Sequence, residues 1–381
     1  MAARPLAYVA GIYEHPERVI EEKSLATVYL EILAGVLADS GLTVDEIDGF
    51  HTSLNPGGLP AMTDLLGFRN VRHFDGTDLG GATYVSSLGT AARAIQAGEA
   101  EVVLVIMAGL PRRGMFNRAV PGPHAVYEQV HGSTLVAQYA LAAQRHMADH
   151  GTTRADLAEI KVASSYHASF NPHAMLPKRV TLEEVLEQPP IAEPLHRMDC
   201  CVVSDGGGAF LVVSEAVARR LGKPLVGVLS QAETARNWRN GSIDLTHTGA
   251  IETGAKAFAA AGVTPADVDM ASLYDSFTIT VLLTLEDLGF CAKGDGGRFV
   301  RDGALLSPHG VLPLNTDGGG LSNNHPDMRG GMIRTIEAVR QLRGEAHPEL
   351  QVPSCEIAVV HGSGFSLGAR AMSSTSILAR L

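Results

Sequence analysis

Two stretches of the chain carry one pattern of apolar and polar positions. AGVLADSGLTVDEIDG at Ala34–Gly49 recurs as AKAFAAAGVTPADVDM at Ala255–Met270, with Gly41 matching Gly262, Thr43 matching Thr264, Ile47 matching Val268 and Asp48 matching Asp269. In each copy a helical spacing of small and apolar residues stops at a glycine and a strand follows, the order of a helix closed by a left-handed cap. The match continues further on. Gly80-Gly81 opens a helical spacing, Val85, Leu88, Ala92 and Ile95, that stops at Gly98 and leads into the apolar strand Val102–Met107. In the second half the turn Gly318–Gly320, the helix carrying Ile333, Ile336, Val339 and Leu342, and the strand Ile357–Val360 take the same places. One pair of copies predicts a duplicated α/β fold, because solenoids need several short repeats. Loops after equivalent elements then converge, and Gly81, Tyr274, His325 and His361 are the candidates to meet there.

The segment between the halves reads differently. From Leu110 to Asp199 it holds PRRGMFNRAVPGPH, a helical stretch around Val130–Asp149, then HASFNPHAMLPKR and a proline-rich link. So long a segment between core strands predicts an inserted, ligand-contacting region. Residues 1–110 and 200–230 are assigned to the first half, 111–199 to the insertion and 231–381 to the second half.

Composition narrows the function classes. A formal net charge of −11 argues against a nucleic-acid protein, which shows a basic stripe. No apolar run approaches the roughly 20 residues of a membrane span, and the first residues lead into a strand with no secretory signal. Cys200, Cys201, Cys291 and Cys355 form no zinc spacing, so no metal is expected and a reduced, cytoplasmic protein is the simple reading. Any phosphate-bearing ligand must be held by local cations, for which Arg112, Arg113, Lys178 and Arg179 in the insertion are the candidates.

The chemistry-bearing residues sit on glycine-rich backbone near the C-terminus. His325 lies in NTDGGGLSNNHPDMRGG, and His361 opens the turn HGSG predicted after the strand Ile357–Val360. Pro326 biases His325 away from helical geometry.

Five motifs in order, GGATYVSSLGTAARAIQAG, DCCVVSDGGGAFLV, LYDSF, NTDGGGLSNNHP and HGSG, resemble the thiolase superfamily, and most closely its sterol-carrier-protein-type branch. The resemblance covers nearly the whole chain. It implies two βαβαβαββ halves in five layers with an inserted loop domain that contacts coenzyme A. It also implies a homodimer built through the first-half core strand, for which Val102–Met107 is the expected segment.

The departures from that pattern carry the functional expectation. The position of the thiolase nucleophilic cysteine falls on Gly81, the second cysteine is replaced by His361, and Tyr274 in YDSF stands where the family has Asn or His. Of the G-H-P turn only His325 is kept, preceded by Asn324. Acyl-enzyme chemistry needs a thiolate that this chain does not supply there. Retro-aldol cleavage of a β-hydroxyacyl-CoA does not, and the steroid side-chain aldolases of this superfamily use tyrosines and a small partner protein. The resemblance therefore implies a CoA-thioester C–C lyase of lipid or steroid metabolism, with Tyr274 and His361 as acid/base candidates and His325 as oxyanion donor or relay. Gly81, Asp275, Asn324, Gly320 and Gly362 line the expected pocket, with Asp275 orienting or capping. No cofactor is expected beyond the coenzyme A of the substrate, and a zinc-ribbon/OB-fold protein is the candidate partner. The alternatives are a divergent acyltransferase with Claisen chemistry and a non-catalytic acyl-CoA-binding subunit.

Overall fold

The computed structural model describes residues 4–53, 58–114, 129–132, 134–237, 243–326, 330–366 and 370–381. Its strands are β1 (Ala7–Glu14), β2 (Gly49–His51), β3 (His73–Asp75), β4 (Val102–Gly109), β5 (Pro190–Ala192), β6 (Leu195–His196), β7 (Gly206–Val213), β8 (Val226–Arg236), β9 (Met270–Leu273), β10 (Ile357–Ser366) and β11 (Arg370–Arg380). Nine of them form one sheet in the order β3-β2-β4-β7-β1-β8-β11-β10-β9, while β5 and β6 pair as a hairpin. Reading outward from the β1–β8 junction, each half repeats the same sequence of pairings. β7 and β11 run antiparallel to β4 and β10, which run parallel to β2 and β9. Beyond β9 a parallel bridge from Ala271 to Leu314 stands where β3 pairs with β2.

The repeat is realised in the hydrogen bonds. Gly41 and Gly262 cap their helices with φ of 79° and 71°. Asp48 accepts from the amides of Glu101 and Val102 at 2.9 Å, and Asp269 accepts from Glu356 and Ile357 at 2.8 Å. Each aspartate thus ties the start of one strand to the start of its neighbour, so the register of β4 and of β10 is set by a side chain as well as by burial.

The two repeat helices, Thr83–Gln96 and Gly331–Arg343, lie between the halves. Val85, Leu88, Ala92 and Ile95 of one and Ile333, Ile336, Val339 and Leu342 of the other share a core with Val103, Val105, Phe210 and Val212 from one part of the sheet and Ala358, Val360 and Leu378 from the other. The opposite faces are covered separately. Helix Leu25–Ser40 packs on β1, β4 and β7, and helices Ala250–Ala261 and Thr278–Asp287 pack with the insertion helices on the second half. Layers of helix, sheet, helix, sheet and helix result. Each fully buried Val, Leu or Ile contributes about 1.5–3 kcal/mol; the two middle helices are buried nearly all round, and the second buries Arg334, Glu337 and Gln341 along with its apolar residues.

Three expectations need correction. The strand expected to stop at Val360 continues through His361–Ser366 and pairs with β11 at every residue, so HGSG is strand, not turn. Its glycines serve close approach, since a Cβ on Gly362 would stand 2.8 Å from the Ala82 Cα. The insertion holds a second helix, Arg154–Ala168, after Leu135–His150; its start is signalled by the Thr153–Asp156 capping box. Finally, both edges of β4 are taken, by β2 and β7, so Val102–Met107 cannot pair across a dimer, and the outer edge of this half belongs to β3.

Candidate active site

Tyr274 and His325 meet at the junction of the halves. Tyr274 follows β9, where Asn315 accepts from the Leu273 amide and donates to the Leu273 carbonyl, both at 2.8 Å, while the Tyr274 amide donates to the His361 carbonyl at 2.9 Å. The phenol oxygen lies 3.0 Å from His325 Nε2, with both residues 6% exposed. With the imidazole proton on Nδ1, the phenol donates to Nε2. A buried tyrosine in contact with a buried histidine is an arrangement through which a proton can pass in a water-poor setting.

The turn before His325 is held from several sides. Gly319–Asn323 form one π-helical turn entered through Gly318 at φ 101°. Asp275 accepts from the amides of Gly320 at 2.8 Å and Leu321 at 3.1 Å, so its carboxylate orients backbone. Ser204 donates to Asn324 Oδ1 at 2.7 Å and accepts from the His325 amide at 2.9 Å, and Asn324 Nδ2 donates to Glu14 at 2.8 Å. Beneath the turn Arg334 donates through both terminal nitrogens to Asp317 at 2.9 and 2.7 Å, all buried. The guanidinium holds the Asp317 carboxyl below the usual carboxylate range against the opposing effect of burial.

Gly81 completes the centre from the first half. A Cβ there would fall 2.2 Å from the Ser363 carbonyl and 2.3 Å from the Tyr274 Cζ. The tyrosine ring therefore fills the volume that a side chain at position 81 would need. Gly330 faces the same pair, with His325 Cδ2 at 3.0 Å and Tyr274 Cε2 at 3.3 Å from its would-be Cβ.

The structure brings together Tyr274, His325, Asn324, Asp275, Gly320, Gly81 and the Gly362 backbone; His361 stays apart. Gly362 faces Gly81 and Ala82, so the neighbouring side chains on β10 point to the other face. There His361 is 0% exposed, with Nδ1 2.8 Å from Thr375 and Nε2 3.2 Å from Ser363. Burial lowers its pKa to about 3. It is a neutral core histidine, and the expectation that it joins the acid/base pair is corrected. No thiol substitutes, since burial raises Cys200, Cys291 and Cys355 to about 12 and, with the Asp275 charge, pushes Cys201 up as well.

The four basic candidates are anchored in two places. Arg112 and Arg113 donate to the carbonyls of Val203 and Lys23. Lys178 pairs with Glu184 at 3.0 Å, and the Arg179 guanidinium lies over the rings of Tyr166 and Phe170 at 4.5 and 4.9 Å. Among the described residues, His15, Glu17 and Glu31 bring possible metal-ligand atoms within 4.8 Å of one another, but the Lys23 ammonium already contacts both carboxylates. Also among the described residues, no helix is long and apolar enough to cross a membrane.

Sequence reasoning missed Ser204, Asn315, Asp317 and Arg334. It also missed Lys161, which lies on the buried stripe Leu157, Lys161, Ser164, Ala168 of its helix; a charge at helical spacing with apolar residues was the available signal.

Comparison with known proteins agrees with the geometry. Residues 231–380 match the family model described as Thiolase C-terminal domain-like. An acetyl-CoA acetyltransferase of Methanothermobacter thermautotrophicus is 30% identical over 96% of this chain and 97% of its own length. The 17-hydroxy-3-oxo-4-pregnene-20-carboxyl-CoA lyase of Mycobacterium tuberculosis is 35% identical over 82% of this chain and 85% of its own. The solved Ltp2-ChsH2(DUF35) aldolase superposes with a TM-score of 0.89 at 30% identity, covering 99% of this chain and 98% of that one. With its duplicated layers, its Gly-rich histidine turn and relatives matched end to end, the chain belongs to the thiolase superfamily, in the branch of the sterol-carrier-protein-type thiolases and their aldolase relatives.

Proposed function

We propose that the protein is a CoA-thioester C–C lyase that cleaves a β-hydroxyacyl-CoA by retro-aldol reaction, with Tyr274 and His325 as its proton-handling pair. The observation that carries this reading is the Tyr274 ring in the space of a position-81 side chain, with its phenol 3.0 Å from His325 Nε2. A covalent thiolase needs a thiolate at that point; a retro-aldolase needs a base instead. The phenol passes its own proton to His325 Nε2 as it takes the β-hydroxyl proton, the bond between Cα and Cβ breaks, and the β-carbon leaves as a carbonyl. The electron pair passes to the thioester enolate, and the pair returns the proton to Cα as the shortened acyl-CoA forms. No oxidant, reductant or added nucleophile is consumed.

The lyase and aldolase relatives favour steroidal substrates, one of them named for a 17-hydroxy-3-oxo-4-pregnene carboxyl-CoA. Lys178, Arg179, Arg112 and Arg113 are the groups we assign to coenzyme A phosphates, by point charge and bidentate pairing. We further propose a cytoplasmic protein acting as a homodimer, with a small zinc-ribbon/OB-fold partner. The free thiols fit a reducing compartment, and the Ltp2-ChsH2(DUF35) aldolase is an assembly by its name. The acetyltransferase relative keeps Claisen chemistry as the second reading. Mass detection of products from panels of β-hydroxyacyl-CoA and β-ketoacyl-CoA, with and without that partner, separates the two. Carbonyl release from the hydroxy series alone supports the lyase; CoA-dependent cleavage of the keto series alone rejects it.

A further inference from the structure

The turn that delivers His325 is gripped on its carbonyl side by the insertion. Lys161 Nζ donates to the Leu321 carbonyl at 2.6 Å and to Ser322 Oγ at 2.8 Å. One helical turn on, Ser164 donates to the Gly318 carbonyl at 2.7 Å and lies 2.8 Å from Ser322 Oγ. The amides of Met175 and Leu176 donate to the Asn323 and Ser322 carbonyls at 3.0 and 2.9 Å. Asp275 holds the amides of the same turn from the other side.

We propose that Lys161 is a positioning residue for the cleavage reaction: its ammonium and the Asp275 carboxylate clamp the Gly319–Asn323 turn between them and so fix His325 against Tyr274. The effect on rate rests on the retro-aldol reading; the geometry does not. A lysine here is costly. It is 2% exposed, and its contacts are a carbonyl and a hydroxyl, with Asp275 and Asp199 acting on it only through space. An apolar side chain of the same length would be cheaper to bury. What the charge provides is a rigid donor to two turn oxygens, and 1 Å of drift at a reacting group costs on the order of 10²-fold in rate.

The site also explains how Lys161 exchanges its proton. It lines a cavity of about 390 Å³ whose other charged residues are Lys178, Glu184 and Glu187. Lys178, Glu184 and Glu187 are thus the charged groups facing it from the insertion, and Asp275 and Asp199 those from the other elements. Burial lowers its pKa to about 8. Below about pH 8 the clamp donates as an ammonium; above it the neutral amine keeps two N–H donors but loses the charge-assisted strength, so the clamp weakens.

The test measures Lys161→Met, Ser164→Ala and Tyr274→Phe side by side by cleavage kinetics and by hydrogen exchange of the Gly318–His325 peptides. Lys161→Met is expected to lower kcat by roughly 10- to 100-fold with KM little changed. It should also abolish the fall of kcat above about pH 8 and speed exchange in those peptides. Ser164→Ala should lower kcat and speed exchange to a smaller degree while keeping the fall above about pH 8, because Lys161 stays in place, and it decides the matter if Lys161→Met does not fold. A Lys161→Met enzyme with wild-type kcat, beside an impaired Tyr274→Phe, would overturn the inference and leave the reaction standing. A Tyr274→Phe enzyme with wild-type turnover would overturn the reaction, and the clamp would then stand or fall on exchange alone: unchanged exchange in Lys161→Met rejects it.

Discussion

A methyl group at position 81 should disable the enzyme without unfolding it. In Gly81→Ala the new Cβ would meet the Ser363 carbonyl at 2.2 Å and the Tyr274 Cζ at 2.3 Å. Carbon contacts settle near 3.5–4.0 Å, so the tyrosine ring must retreat by about 1 Å. The Ser363 carbonyl belongs to β10, which is paired along its length with β11, so the backbone at position 81 must also draw back from it, whereas the ring gives by a side-chain torsion. Its phenol then leaves the 3.0 Å contact with His325. Overpacking of this kind costs about 1–3 kcal/mol of stability, a loss that a domain of this size survives. Misplacement of the reacting group by that distance costs on the order of 10²-fold in kcat. The assay is steady-state cleavage of a β-hydroxyacyl-CoA, with thermal melts beside it. A folded Gly81→Ala protein with wild-type kcat would refute the assignment of that volume to a working tyrosine.

Tyr274→Phe should slow turnover by roughly 10²–10⁴-fold, the scale of a lost acid/base. His325→Ala should slow turnover on the same scale, because the phenol loses the group that takes its proton, read in both cases from kcat/KM of folded protein. The four cysteines, replaced singly by Ala, should leave turnover near wild type. A variant that lost activity together with a trappable acyl group on that thiol would favour the acyltransferase. Stability should fall on acidification through His361, whose folded pKa of about 3 lies below the unfolded value of about 6.5. Its contribution is complete above about pH 6.5 and declines by about 1.4 kcal/mol for each pH unit below it, until about pH 3. His361→Gln should flatten part of that slope while keeping kcat; a wild-type-like slope with lost kcat would return His361 to the active site. Asp317→Asn should cost about 3–5 kcal/mol, the loss from breaking a buried pair, as seen in chemical denaturation.

The fold was largely legible because its duplication is written twice in short-range signals. Glycine caps and capping boxes act within a few residues of their own position, and Asp48 and Asp269 recur at the same place in each copy although they bond to strands 53 and 87 residues on, so one half predicts the other. The site was legible where a residue's type and its backbone agreed, as at His325 and Tyr274. It failed at His361, where the decisive fact is which face of β10 a side chain takes. That depends on whether the strand continues past Val360, and Gly362-Ser363-Gly364 read locally as a turn. Only the close approach of Leu79–Ala82 makes those glycines strand residues. Lys161 and Arg334 escaped for a related reason, since their partners lie 160 and 17 residues away and no local spacing announces a charge paired across the fold.

The central claim, cleavage without an acyl-enzyme, is tested most directly by intact-protein mass spectrometry during turnover of a β-hydroxyacyl-CoA in heavy water, with and without the proposed partner protein. The account predicts equal amounts of carbonyl product and shortened acyl-CoA, one solvent deuterium at the α-carbon of the latter, and a protein mass unchanged throughout. An acyl adduct that forms and decays at the rate of turnover would contradict it.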